Sequence, residues 1–387
     1  MSLLIRITLF VFSLSFASAA VVQVEVTERL DLGATGYEEI VGRLHFAIDP
    51  TLPGNAIIAD VELAPVNPAG KVSFYSDLRL LKPKDPTRSN GTAWIEIPNR
   101  GGKAKLSDWI TDHGFTVMTV GWEFDVPANQ NKPRIEVPSA RNPDGSPIRG
   151  VVSATFTLDK PTDEKEITDL AAYAPIDLDG PESRLMVRDR MAFPGGRELP
   201  RNSWSLEDHH LRLEGGFEPG KTYELFYLAE SPPVAGLGYA AIRDAVAWLK
   251  HGEDSLAPVE HACAFGSSQC GRFLRDFLYL GFNTDEEDRQ ALDGVMAHVA
   301  GSGRLVLNQR WSTPRGTAGF YTASFPFADT AQTDPVSGHT DGILENPRVK
   351  PEHWPKIFYT NTAAEYWGAG RVAALTHTTP DAAHDRA

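Results

Sequence analysis

An apolar run that breaks at small residues and then resumes with helical spacing spans residues 262–272 of this chain. Its sequence, ACAFGSSQCGR, predicts a strand, a sharp turn and a helix. Ser268 stands at the turn, with Gly266 two residues before it and Cys270 two residues after it. An exposed serine on a strained strand-to-helix turn is how a G-x-S-x-G nucleophile elbow presents its oxygen. Because cysteine is small, the change of the second glycine to Cys270 is a mild departure from this motif.

The residues after the turn support this interpretation. Four apolar residues recur at helical spacing and a glycine follows as a C-cap: Phe273, Leu274, Phe277, Leu278 and Gly281. A helix that begins directly behind Ser268 would aim its first backbone N–H groups at a developing oxyanion. The alternative is a turn that only joins a strand to a helix. The strand and helix on either side favour the elbow.

Composition and charge limit the possible partners. The chain has 387 residues, of which 42% are hydrophobic and 23% charged, as in ordinary globular proteins. Its net charge of -14 argues against a nucleic-acid partner, which needs a basic surface. A disulfide between the only two cysteines, Cys263 and Cys270, would distort the turn, so we expect free, packed thiols. No metal-ligand spacing occurs in the sequence, and we predict neither a metal nor a cofactor.

The first 20 residues have the pattern of a signal peptide. Arg6 supplies a positive charge, residues 7–16 are mostly apolar, and residues 17–19 form an A-x-A cleavage site. A membrane anchor would need about 20 uninterrupted apolar residues, and this run is shorter. We therefore expect an exported protein, secreted or periplasmic, with no membrane contact beyond this segment.

Strand-like stretches dominate the next hundred residues, separated by turns rich in proline and glycine. They lie at residues 21–26, 42–48, 57–63, 72–81 and 93–97. A predicted helix at 106–113 and a buried strand at 115–122 then give a β-α-β alternation. Residues 21–126 are therefore predicted to hold a β-rich N-terminal extension and the first part of an α/β core.

Residues 127–231 interrupt this alternation. They are rich in proline, glycine and aspartate, and they contain short β-like pieces without a long amphipathic helix. We interpret them as a β-rich insertion that overhangs the site as a lid; a purely structural second subdomain is the open alternative. The α/β pattern resumes with a helix at 239–249, so residues 232–387 are predicted to complete the core and to carry the elbow.

Two places supply candidate oxyanion donors. α/β-Hydrolases take one backbone N–H from a loop after an early core strand and another from the residue after the nucleophile. Arg100 and Gly101 follow the strand at 93–97, and Gln269 follows Ser268. For the glycine-rich loop taken alone, a plain turn is the alternative.

The catalytic acid of this fold follows a late strand. After the predicted strand at 356–360, Glu365 is the only acid in residues 361–367. Its alternative role is to cap or pair with the next helix, and Asp341 is the weaker candidate for the acid. His298 ends another predicted strand, where a lone histidine is more often structural than catalytic.

Several segments together resemble the family of alpha/beta hydrolase domain-containing proteins. They are residues 99–102, 233–238 with Arg243 and Asp244, 266–283, 293–301 and 360–367. The resemblance covers nearly all of the chain after the leader and implies an α/β-hydrolase fold. It also implies that Ser268 is the nucleophile and Glu365 the acid, and it implies little about the substrate.

One departure from the family concerns the histidine of the triad. The family continues after the acid through a helix and a last strand to a loop that carries the histidine. Here only His377 and His384 follow Glu365, in a polar tail without a strand pattern. We therefore expect a chain truncated before the family's histidine, with His377 as the candidate base among the residues present.

The sequence thus predicts an exported serine hydrolase acting on a small-molecule carboxylic ester, and it leaves the oligomeric state open. A catalytically inactive hydrolase-fold binding protein is the main alternative. A carbohydrate-binding β-module within residues 127–231 is a third, weakened because the aromatic residues there show no platform spacing.

Overall fold

The computed structural model describes residues 20–102, 106–128, 132–189, 195–305, 307–312, 314, 325–335 and 337–367. Its strands, numbered in chain order, are β1 (Val21–Asp31), β2 (Tyr37–Ile48), β3 (Val72–Pro83), β4 (Thr92–Glu96), β5 (Thr116–Val120), β6 (Ile135–Glu136), β7 (Arg149–Thr157), β8 (Thr162–Glu166), β9 (Arg184–Asp189), β10 (Arg197–Leu199), β11 (Trp204–Glu207), β12 (His210–Phe217), β13 (Lys221–Glu230), β14 (His261–Ser267), β15 (Gly294–His298), β16 (Gln332–Thr333), β17 (Thr340–Asp341) and β18 (Lys356–Thr360). The helices are α1 (Asp108–His113), α2 (Leu237–His251), α3 (Gln269–Tyr279) and α4 (Ala363–Trp367).

The largest sheet is mixed and has the order β1-β2-β3-β5-β4-β14-β15-β18, with β6 paired to β3. The pairs from β1 to β5 through β3 are antiparallel, and those from β5 through β4, β14 and β15 to β18 are parallel. The carboxyl ends of the parallel strands therefore meet at one edge. In α/β sheets this is the edge where ligands bind.

Alternation along β14 explains how this sheet is covered. Ala262, Ala264 and Gly266 are buried, whereas Cys263 and Phe265 between them are partly exposed. The buried side belongs to one hydrophobic core with α2 and α3, to which Val246 and Phe273 contribute. Small side chains on β14 allow both helices to pack closely against the centre of the sheet.

Strands β7 to β13 form two smaller antiparallel sheets, β10-β9-β13-β7 and β11-β12-β8, between β5 and α2 in the chain. They share a second hydrophobic core. Phe124 and Trp311 pack against both cores, and the Tyr173 hydroxyl donates a hydrogen bond of 2.5 Å to the carbonyl of Ser312. These contacts attach the smaller sheets beside the carboxyl edge of the large one. The boundaries at 126/127 and 231/232 stay predictions.

The prediction of a strand at residues 57–63 is wrong. The structure has turns there, followed by a 3-10 helix at Val61–Leu63. Ile58 and Val61 are both buried, because their spacing of three residues places them on the same side of consecutive turns. Among the described residues, no helix is both long enough and apolar enough to cross a membrane.

Candidate active site

Ser268 occupies a sharp turn between the end of β14 and the first residue of α3. Its backbone has φ 58° and ψ -111°, a conformation that a residue with a side chain rarely adopts. Such a backbone costs about 1–3 kcal/mol and persists only where the surrounding structure enforces it. The Ser268 N–H donates 2.8 Å to the carbonyl of His298 at the end of the neighbouring strand. Val299, which follows, also has a positive φ of 47°.

Gly266 and Cys270 explain how the turn can be so tight. A Cβ atom on Gly266 would lie 2.4 Å from the carbonyl oxygen of Cys270, so only glycine fits. The Cys270 side chain is fully buried in the core, where a small apolar group suffices. Burial, with the nearby Glu123 and Glu96 carboxylates, raises the pKa of the Cys270 thiol well above its usual value. This cysteine is therefore protonated and serves as packing, and both cysteines are free thiols, as expected.

The loop at residues 98–102 begins beside the elbow strand. The N–H of Ile97 donates 2.9 Å to the carbonyl of Phe265, so β4 delivers this loop next to the turn at Ser268. Arg100 and Gly101 both have positive φ, 51° and 67°. A Cβ on Gly101 would come within 2.4 Å of the Lys132 side chain, so glycine lets the loop pack against its neighbour. The two predicted donor segments are thus adjacent.

Trp122 ties this loop to the elbow helix. Its indole N–H donates 2.7 Å to the carbonyl of Pro98, where the loop begins. Its ring centre lies 4.6 Å from that of Phe273 on α3. Since the indole is almost completely buried, both contacts are shielded from water. One side chain therefore fixes the loop and the helix relative to each other.

Sequence reasoning missed a buried acidic pair that contacts the side chains of two predicted donor residues. Glu123 Oε1 accepts hydrogen bonds of 3.2 Å from the Arg100 guanidinium and 3.2 Å from the Gln269 side-chain amide. Asp125 accepts a shorter bond of 2.7 Å from the same guanidinium. Burial is the main cause that raises the pKa of Glu123, to about 7. The signal in the sequence was GWEFD at residues 121–125, two acids among apolar residues just after a buried strand.

Glu365 lies near the same edge of the sheet, after β18. Its carboxylate accepts hydrogen bonds from the backbone N–H of Thr362, at 3.1 Å, and from the Thr362 hydroxyl. The Thr362 hydroxyl oxygen in turn accepts a bond from the N–H of Ala364. This arrangement is a capping box at the start of α4, the alternative role named above. The carboxylate is buried, and its catalytic role stays a prediction.

The other candidates are distributed as follows. The His298 ring forms a hydrogen bond of 2.9 Å with the Thr360 hydroxyl, and its backbone holds the elbow. Asp341 accepts a bond of 2.7 Å from the Tyr279 hydroxyl. His377 and His384 lie outside the described residues. The structure therefore brings together Ser268, Gln269 and the loop of Arg100 and Gly101.

Comparison with known proteins identifies the family of this chain. A family model described as "Alpha/beta hydrolase domain" matches residues 54–386, most of the chain. No curated protein and no solved structure matches the chain. The family expected from the sequence is therefore confirmed, and hydrolase chemistry in general follows from it. This chain belongs to the alpha/beta hydrolase domain family.

Proposed function

We propose that this chain is an exported serine hydrolase that cleaves carboxylic esters of small molecules. The observation that carries the proposal is the backbone of Ser268, φ 58° and ψ -111°, between the central strand β14 and helix α3. Strained backbone of this kind clusters at active sites, where it is part of the mechanism. A nucleophile elbow gives the strain a use, since it exposes the serine oxygen.

The chemistry follows from the neighbours of Ser268. Its oxygen attacks the ester carbonyl while a histidine takes its proton, and a tetrahedral oxyanion forms. The backbone N–H of Gln269 and one N–H from Arg100 or Gly101 hold that oxyanion, each worth about 3 kcal/mol. The histidine then gives the proton to the departing alcohol, and water later releases the acid from the serine. In this proposal His377 is the base and Glu365 orients it.

Export and the role of the smaller sheets are part of the same proposal. The leader at residues 1–20 would direct the chain to the periplasm or the medium. The sheets of β7 to β13 attach beside the site through Phe124, Tyr173 and Trp311. Fractionation of expressing cells, with mass spectrometry of the mature N-terminus, tests the export.

Hydrolysis of p-nitrophenyl acetate and butyrate tests the reaction. Ser268→Ala should lower kcat by at least about 1,000-fold, because the nucleophile is gone. Ser267→Ala changes the adjacent serine, which lies within β14, and is the matched control. His377→Ala and His384→Ala ask which histidine acts as the base. Activity that survives in Ser268→Ala, or is absent from the unmodified chain, would contradict the proposal and favour the inactive, binding alternative.

A further inference from the structure

The buried carboxylate of Glu123 joins the two halves of the proposed oxyanion hole. Its Oε1 atom accepts from the guanidinium of Arg100, on the donor loop, and from the side-chain amide of Gln269, on the elbow helix, each at 3.2 Å. These partners are 23 residues before and 146 residues after it in the chain, so no local interaction sets their separation. One oxygen atom thus links two segments whose backbone N–H groups must converge on one point.

We propose that Glu123 is a positioning residue of the oxyanion hole, holding the Arg100 loop and the first residue of α3 at the separation that the tetrahedral intermediate requires. This inference rests on the proposed function. It assigns a role to a residue that neither the motif nor the triad includes. The Gln269 amide also donates to the carbonyl of Pro314, so Glu123 and Pro314 together fix its side chain.

The surroundings of Glu123 explain why its protonation would matter. Arg100 is the cation that faces Glu123. The acidic groups near Glu123 are Asp125 and the buried thiol of Cys270. Tyr173 in turn faces Asp125. The second carboxylate oxygen, Oε2, is buried and has no hydrogen-bond partner in the described part of the chain. An ionised carboxylate with one unsolvated oxygen is costly, which agrees with the pKa of about 7. Protonation would weaken its hold on Arg100.

Asp125 offers a matched control within the same cluster. It accepts a shorter bond from Arg100 than Glu123 does, 2.7 Å against 3.2 Å. Among the described residues its carboxylate forms no hydrogen bond with Gln269, so it neutralises the guanidinium without joining the two segments. If charge neutralisation alone mattered, Asp125→Asn would be the more damaging change. If the link between the two segments matters, Glu123→Gln would be the more damaging change.

The experiment measures kcat and KM for p-nitrophenyl butyrate across pH in five proteins. These are the unmodified chain, Glu123→Gln, Asp125→Asn, Gln269→Met and Ser268→Ala. Gln269→Met keeps the backbone N–H but removes the side-chain link. We expect Glu123→Gln and Gln269→Met to lower kcat by between about 10-fold and about 100-fold with KM changed less than about 3-fold, because the oxyanion exists only after attack. Glu123→Gln should also lose one ionisation from the acid side of the kcat profile, while Asp125→Asn keeps it.

The outcomes separate this inference from the proposed function. If Ser268→Ala is inactive while Glu123→Gln and Gln269→Met keep the unmodified kcat and pH profile, the positioning role is overturned and the serine hydrolase stands. If Ser268→Ala keeps full activity, both are overturned. Should Glu123→Gln fail to fold by circular dichroism, Gln269→Met alone decides: a kcat loss supports the link, and an unchanged kcat overturns it.

Discussion

The backbone N–H of Ser268 and the carbonyl oxygen of His298 are 2.8 Å apart. This hydrogen bond extends the pairing of β14 with β15 to Ser268, the residue directly after β14. The preceding residue, Ser267, is paired with His298 in that register. Strand β15 therefore fixes the turn through this hydrogen bond, and helix α3, which begins at the next residue, fixes it from the other side. A strained residue can persist because two rigid elements fix it.

Replacing Ser268 by glycine should stabilise the protein while abolishing hydrolysis. Glycine adopts a positive φ without a steric cost, so the strain at 58° would be relieved. We expect the free energy of unfolding to rise by about 1 kcal/mol in urea titrations. Ser267→Gly, in the regular strand β14, should instead lower it by about 0.5–1 kcal/mol. A destabilised Ser268→Gly would mean that the turn is not strained.

An alanine at position 266 should damage both folding and activity. Its methyl group would overlap the Cys270 carbonyl at 2.4 Å, and because this neighbour is backbone, the elbow itself would have to shift. We expect a loss of about 3 kcal/mol in the free energy of unfolding and loss of ester hydrolysis. Gly54→Ala is the control, since a Cβ there would meet, within the described residues, only a side-chain atom of Arg243, at an ordinary contact distance of 3.6 Å. Equal behaviour of the two variants would contradict the close approach.

The raised pKa of Glu123 predicts a pH-dependent stability. Between the ordinary glutamate value of 4.5 and about 7, the folded state binds a proton that the unfolded state has already released. The free energy of unfolding should therefore fall as pH rises through this window, by about 3 kcal/mol in total. Glu123→Gln should lack this fall, whereas Gln269→Met, which keeps the carboxyl group, should retain it. Denaturant titrations at pH 5, 6, 7 and 8 measure this fall. If the free energy of unfolding depends on pH in the same way in the unmodified chain, Glu123→Gln and Gln269→Met, the prediction is refuted.

Removing the indole N–H of Trp122 should loosen the donor loop. Trp122→Phe keeps an aromatic ring near Phe273 but leaves the buried Pro98 carbonyl without its donor. The expected loss is about 1–3 kcal/mol in the free energy of unfolding, with kcat lowered more than KM is raised. Trp109→Phe changes a half-exposed tryptophan of α1 and should remain within about 0.5 kcal/mol. A KM effect without a kcat effect would place Trp122 in substrate binding instead.

The parts of the fold that could be predicted from the sequence are those encoded within short stretches. Strand, turn and helix around Ser268 depend on residues 262–281, so spacing and residue size suffice there. Thr362 and Glu365 likewise have the T-x-x-E spacing of a capping box. At residues 57–63 the apolar content was correct but its period was misjudged, since consecutive turns bury Ile58 and Val61, three residues apart, whereas a strand would bury every second residue.

The parts that could not be predicted depend on contacts between distant segments. Glu123 meets Gln269 across 146 residues, and Trp122 meets Pro98 across 24. No periodicity in a single chain records such pairs, because each residue looks like an isolated polar or aromatic side chain in its own segment. The neighbouring strands β5, β4 and β14 bring these residues together only when the sheet forms.

The positive φ values of Ser268 and Val299 also bear on how this protein would change under selection. Both residues have unfavourable backbone conformations next to His298: Ser268 donates a hydrogen bond to its carbonyl, and Val299 follows it in the chain. Glycine would suit both backbones better. A library screened only for heat tolerance should therefore enrich substitutions at these two positions. A population of homologues kept under selection for hydrolysis should resist the change at 268, so the two selections would diverge first at the turn.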